Sequence, residues 1–324
     1  MASATNLLPP FKYFQDLNRN LGVYYLVAHI VSILIVVVLG SELVKKHRLI
    51  IPLVLLSLYY IKTLLPFYLS ADTTTHEECQ KADACVTFKA LQISLPLYGS
   101  GALPVQLVAK EKPDLLGLIG YNKFWKEHVK IGAEYPNKIE LPTEDGFGLA
   151  LYSKFPFTGE PLTKTGADTP PVVKTGMVVG KDRVIEVTLF KAEIPSAATQ
   201  NLNKLIVRRL LTIFKHDDIE GIVMTELNAT PFAGAYGLLT SGAMYDSTME
   251  GRGLAATWTG GNGMLRLSFD HILYRGFLAV KDMRVLESVG STHQPISAEF
   301  EIPKQIAKPW KIELHDPPSA FLPF

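Results

Sequence analysis

Two long apolar runs mark the N-terminal part of the chain, and shorter runs broken by polar residues fill the remainder. Residues 21–39 carry no formal charge, and residues 49–69 carry only Lys62. A helix needs roughly 20 apolar residues to cross the hydrocarbon core, so the two runs read as a transmembrane hairpin over residues 21–70. A cleaved signal peptide has a shorter apolar run, a small-residue cleavage site and no second span. Between the runs, residues 40–48 hold Lys45, Lys46 and Arg48. Positive charge favours the cytoplasmic side, which places everything after residue 70 on the extracytoplasmic, periplasmic side. Lys12 and Arg19, ahead of the first run, weigh against this orientation. Residues 1–20 read as an interfacial lead-in, too short to span. Lys62 can snorkel toward the interface, Tyr24, Tyr25, Tyr59, Tyr60 and Tyr68 suit interfacial anchors, and His29 suits a hydrogen bond between helices.

After a polar linker over residues 71–85, apolar patterning alternates between two periods. Strands are expected at 86–95, 115–119, 147–152, 184–189, 219–224, 272–274 and 298–302. Helices are expected at 105–110 and 232–239. A longer one at 201–214 has apolar residues at 202, 205, 206, 210, 211 and 213 and Arg208 and Arg209 on its solvent face. Strands mixed with helices over residues 86–302 imply a single α/β domain. The tail, 303–324, carries five prolines with Trp310, Phe321 and Phe324. It reads either as a loose end or as an extended arm that docks on a partner.

Charge narrows the partners. The net charge of the 324 residues is +1, so no basic field points to nucleic acid, and none is expected as a partner. Cys79 and Cys85 have no pair of histidines nearby to complete a closed zinc site. They form a disulfide if the segment faces an oxidising compartment, and otherwise remain two free thiols.

The chemistry is concentrated in five segments. Residues 222–231 read Ile-Val-Met-Thr-Glu-Leu-Asn-Ala-Thr-Pro: an apolar strand, an acid, one residue, an Asn, then Ala-Thr-Pro. Pro-Asp-Leu-Leu-Gly-Leu-Ile-Gly-Tyr occupies 113–121, and Gly-Phe-Gly-Leu-Ala-Leu-Tyr-Ser-Lys-Phe-Pro-Phe occupies 146–157. Thr257-Trp258 precedes Ser-Phe-Asp-His-Ile-Leu at 268–273, and Ser-Thr-His-Gln-Pro closes the set at 291–295. In this order the segments resemble the endonuclease/exonuclease/phosphatase family, the DNase I-like proteins, in a membrane-anchored bacterial form. The resemblance covers residues 86–302. It implies a DNase I-like four-layer sandwich, two mixed β-sheets flanked by helices, and it implies magnesium-dependent hydrolysis of phosphate esters.

Set against the family pattern, the chemical groups divide. Where the family has its metal-binding Glu this chain has Gly120, preceded by Ile119 where Gln is usual. Ser94 stands for an Asn on the first strand. The segment 187–193 lacks the phosphate-holding His, with Lys191 nearby as a charge. Thr292 replaces the Asp before the closing His. Asn228, Asp270 and His293 keep their family positions, and in the family this Asp orients this His. Glu226 stands where Asp is usual, one methylene longer, which makes it a weak metal candidate. His271, beside Asp270, reads as a structural ring.

Losing parts of a catalytic unit removes most of its rate. The expectation is a catalytically inactive domain with no cofactor, tethered to the lipid bilayer as an accessory or scaffolding subunit among membrane-protein partners. The alternative is a metal-dependent phosphohydrolase in which Mg²⁺ is held by Glu226, Asp270 and either Glu186 or Glu193. A third possibility is a module that binds a phosphorylated ligand without cleaving it.

Overall fold

The computed structural model describes residues 20–39, 47–69, 79, 84–164, 170–180, 183–196, 200–213, 220–241, 244–249, 253–260 and 263–304. Most of the expected lead-in, linker and tail lies outside these residues, as does the basic part of the loop that holds Lys45 and Lys46.

The first elements among the described residues are two apolar helices, α1 (Gly22–Leu39) and α2 (His47–Tyr68). The segment Ile50–Tyr68 is long and apolar enough to cross a membrane; Gly22–Val38 is apolar but shorter. The first expected span, 21–39, coincides with a helix of 18 residues, about 27 Å at 1.5 Å per residue. Ser57 and Thr63 bond back to carbonyls one turn earlier, at Leu53 and Tyr59, so their hydroxyls need no water. Tyr60 packs against both Tyr25 and His29, which ties the two helices together.

Two six-stranded mixed sheets follow. The first contains β1 (Cys85–Ser94), β2 (Leu115–Ile119), β3 (Asn137–Leu141), β4 (Leu149–Ser153), β13 (Ala279–Val285) and β14 (Ile296–Pro303), in the order β13-β14-β1-β2-β4-β3. The second contains β5 (Phe157–Lys164), β6 (Pro171–Val179), β7 (Arg183–Lys191), β8 (Gly221–Glu226), β9 (Tyr245–Asp246) and β12 (Asp270–Arg275), in the order β5-β6-β7-β8-β12-β9. A short ribbon, β10 (Trp258–Gly260) with β11 (Leu265–Leu267), stands apart. Helices α3 (Ala102–Glu111) and α4 (Lys123–His128) belong to the first sheet's side. Helices α5 (Gln200–Ile213) and α6 (Gly234–Thr240) belong to the second's. Cys79 and Cys85 are joined by a disulfide at the entry to β1.

Three apolar clusters correspond to the three spaces between four layers. The central one, between the sheets, includes Phe88, Ala90, Leu115, Val187, Leu189, Ile222, Met224, Ile272 and Phe300. Leu91, Ile93, Leu107, Leu116 and Trp125 fill the space under α3 and α4. Phe190, Ile206, Leu210, Val223, Tyr236 and Leu273 fill the space under α5 and α6, together with Phe67 from α2. Side chains along a strand point alternately to opposite faces, which is why Leu91 and Phe88, or Val223 and Met224, lie in different clusters.

Candidate active site

The site arises from that alternation carried to the strand ends. On β7 the inward row is Ile185, Val187, Leu189 and then Lys191. On β8 it is Ile222, Met224 and then Glu226. On β12 it runs back from Ile272 to Asp270, and on β1 from Phe88 and Ala90 to Gln92 and Ser94. Four apolar rows therefore finish in polar groups at the same end of the sandwich. His271 neighbours Asp270 and must face the other way.

The polar ends form one network. Asp270 Oδ2 lies 2.8 Å from Nδ1 of His293. Asp270 Oδ1 accepts from Ser94 Oγ at 2.9 Å and from Gln92 Nε2 at 3.4 Å. Thr257 Oγ1 accepts from the backbone N–H of Asp270 at 3.0 Å, fixing the start of β12. Glu226 Oε1 lies 3.0 Å from Lys191 Nζ and 3.7 Å from His293 Nε2. Asn228 Nδ2 donates to the Ala192 carbonyl at 2.9 Å and to Glu226 Oε1 at 3.3 Å. Asn228 adopts φ +53°, a left-handed conformation that Asn tolerates better than most residues.

Burial opposes charge on His293, but Asp270, through its charge and its hydrogen bond, and then Glu226 raise the imidazole above its ordinary value; Lys191 acts in the opposite sense. The ring is thereby biased toward imidazolium, and the cluster balances two carboxylates with two cationic groups. Lys191 Nζ also lies 5.8 Å from the centre of the Phe147 ring, a cation–π contact.

The position expected to carry the metal-binding Glu is closed by the backbone itself. Gly120 has φ +79°, and a Cβ there would lie 2.8 Å from the Leu95 carbonyl oxygen. Neither the conformation nor the space admits a carboxylate side chain. Oxygen-ligating magnesium needs free carboxylates. One ligand atom from each of Glu226, Asp270 and His293 does lie within 4.8 Å of the others. Glu226, however, is engaged by an ammonium and an amide, and both oxygens of Asp270 are hydrogen-bonded. As it stands this donor set is a charge-paired cluster, with Glu226 Oε1 held by Lys191 and Asn228.

Of the other expected carboxylates, Glu193 stays near the site. Burial and the charge of Asp145 raise its pKa, and Lys191 lowers it. Glu186 does not join. It pairs with Lys174 at 2.7 Å and Arg275 at 3.3 Å, at the opposite end of β7, because its register partner is Gly221 whereas that of Lys191 is Glu226.

His271 is a structural ring, as its neighbour's orientation requires. It is fully buried, with Nδ1 2.8 Å from Asp246 Oδ2 and Nε2 2.9 Å from the Ala229 carbonyl oxygen. Both partners are acceptors, so the ring is held as imidazolium. Burial works against that charge, but Asp246 raises the His271 pKa, and His271 in turn holds Asp246 low against its own burial.

Sequence reasoning passed over Gln92, whose only signal was a polar residue on an inward row two places before Ser94. It also passed over Asn20. Asn20 Oδ1 accepts from the backbone N–H of Thr230 at 2.8 Å and from Thr230 Oγ1 at 2.9 Å. A residue two positions before α1 thus holds the loop that begins with Asn228.

No family model and no curated protein sequence matches the chain. Solved structures do. The humanized Danio rerio TDP2 aligns with TM-score 0.55 at 14% identity, covering 66% of this chain and 98% of that one. An endonuclease/exonuclease/phosphatase family protein from Bacteroides thetaiotaomicron aligns with TM-score 0.53 at 14% identity, covering 68% and 96%. A mannosyl-6-phosphatase from the same organism gives 0.51 at 15%, covering 66% and 99%. Identities this low speak to architecture, and the two flanked mixed sheets agree with it: the region from Cys85 to Pro303 has the endonuclease/exonuclease/phosphatase, or DNase I-like, fold.

Proposed function

We propose that the chain is a membrane-anchored, catalytically inactive form of this phosphohydrolase fold that serves as an accessory or scaffolding subunit of a membrane complex on the extracytoplasmic side. The observation that carries the inactive reading is the neutralised cluster. Lys191 supplies to Glu226 the positive charge that a metal would supply, and Gly120 has no room for the missing ligand. Transfer of a phosphoryl group from its ester to water, with the alcohol as leaving group, depends on charge stabilisation at the reacting phosphorus, and here the site's charges are spent on each other. The apolar helices support the anchor.

The test uses full-length protein in mild detergent with magnesium, assayed on a phosphodiester and a phosphomonoester chromogenic substrate. The expected rate equals that of buffer. Magnesium-dependent turnover that disappears in His293→Ala would overturn the inactive reading. It would favour the second one, a phosphohydrolase with an altered metal site, for which the proximity of Glu226, Asp270 and His293 speaks. The subunit reading predicts that the same preparation contains a stoichiometric membrane-protein partner; a lone monomer would sink it. Orientation is read by an impermeant thiol reagent on reduced intact cells, which should label Cys79 and Cys85.

A further inference from the structure

The two apolar helices do not hang from the domain by a free linker. Both of their domain-side ends are seated on it, and on the end that carries the site. Asn20 holds Thr230. Gly22 lies so close to the Phe232 ring that a Cβ would meet it at 3.0 Å. Tyr60 meets the same ring at 6.2 Å, and Phe67 enters the cluster under α5 and α6. The backbone N–H of Gly253 donates to the Phe67 carbonyl.

One of these contacts fixes a depth. The hydroxyl of Tyr24, in the first turn of α1, accepts from the backbone N–H of Arg266 at 2.7 Å and donates to the Met264 carbonyl at 3.2 Å. A helix of about 27 Å barely matches a hydrocarbon core of about 30 Å. If α1 spans, its first turn therefore lies at the boundary, where Tyr is enriched. Whatever Tyr24 holds lies at the same level. Met264 is 78% exposed and Leu265 36%, beside the exposed cation of Arg266. Adjacent exposed apolar side chains flanked by a basic residue, held at the level of Tyr24, have the composition of an interfacial anchor.

We propose that the tip of the β10–β11 ribbon, Met264 and Leu265 flanked by Arg266, is a third membrane contact that seats in the bilayer interface beside Tyr24. The inference rests on the hairpin's being a membrane anchor. It has a consequence for the site. The other end of the ribbon forms the wall beside His293, through the bridge from Trp258 to His293 and the bond from Thr259 N to the Thr292 carbonyl. A seated ribbon turns the mouth of the cluster toward the headgroups.

The experiment places an environment-sensitive fluorophore on single cysteines introduced into the full-length protein in lipid nanodiscs, with the native disulfide left oxidised. The variants are Val31→Cys within α1, Met264→Cys at the tip, and Lys110→Cys near the end of α3, on the far side from the site. Doxyl-labelled phosphatidylcholine is the quencher. Expected are blue-shifted emission and loss of fluorescence at 31 and 264, with no loss at 110. Quenching at 31 without quenching at 264 overturns the membrane contact and leaves the anchor standing. Absence of quenching at both positions overturns the anchor and the contact together. Equal quenching at all three overturns a specific tip.

Discussion

Lys191 Nζ lies 3.0 Å from Glu226 Oε1 across two parallel strands whose register places the two residues side by side. Glu226 is nearly fully buried, and Lys191 is its nearest cationic partner. Removing one member of a buried pair costs on the order of 3 kcal/mol, because the other charge is left without compensation. Lys191→Ala should therefore lower the melting temperature. The same variant opens the carboxylate to a cation. Millimolar magnesium or manganese should raise the melting temperature of Lys191→Ala and leave that of the unaltered protein unchanged. An equal shift in both proteins would mean that metal already binds beside the lysine.

Restoring the family carboxylate should fail. Gly120→Glu forces a left-handed conformation and a contact with the Leu95 carbonyl, a strain of about 1–3 kcal/mol. The expected outcome in denaturant unfolding is a lower midpoint with unchanged slope, and no magnesium-dependent activity. Activity in this variant would show that the strand end can adjust and that the site lacks only one group.

The buried pair of His271 and Asp246 gives stability a defined pH dependence. The folded pKa of His271 lies above its ordinary 6.5, so its contribution is complete below that value and is lost as pH rises through the folded pKa. The folded pKa of Asp246 lies below 3.8, so its contribution is present above 3.8 and is lost as pH falls. Melting temperature should decline on the alkaline side of 6.5. His271→Gln should cost about 3–5 kcal/mol near neutrality, flatten that alkaline decline and make unfolding by acid begin at higher pH. A His271→Gln protein whose melting temperature follows the parent's pH profile would show that His271 is neutral in the fold.

Asn20→Ala removes the acceptor for the Thr230 N–H and hydroxyl. An unsatisfied buried group costs about 1–3 kcal/mol, and the loop after Asn228 should open more often. Hydrogen exchange over residues 228–232 should accelerate in the full-length protein, with β1 and β2 unaffected. Unchanged exchange in that loop would mean that another contact holds it.

The sequence marks this fold where strands are uniformly apolar. The expected strand at 115–119 coincides with β2 (Leu115–Ile119), and the expected helix at 201–214 with α5 (Gln200–Ile213) shifted by one residue. It fails where strands lie at a sheet edge or face solvent. β3 reads Asn-Lys-Ile-Glu-Leu and is only half-buried. β5, at the edge of the second sheet, is rich in Thr, Lys, Gly and Pro, and β13, at the edge of the first, carries Lys281 and Asp282 in its middle. At the site, motif order locates Glu226, Asn228, Asp270 and His293, because each sits in its own local segment. It leaves open whether Lys191 reaches Glu226, since that depends on a parallel register between strands separated by a helix. The backbone conformation at Gly120, which decides whether a carboxylate could return, has no sequence signature beyond the glycine itself.

Phe67 ties the interior of the domain to the second N-terminal helix. The stretch that resembles other proteins begins near the disulfide, yet the apolar space under α5 and α6 is closed by a ring from the second N-terminal helix. Burying a Phe contributes about 1.5–3 kcal/mol, and that share is absent until α2 is in place. A domain severed from residue 70 onward lacks that ring and is left with an unfilled socket in its own interior. A fragment that begins after α2 should therefore be less stable than the full-length protein by about the contribution of that ring.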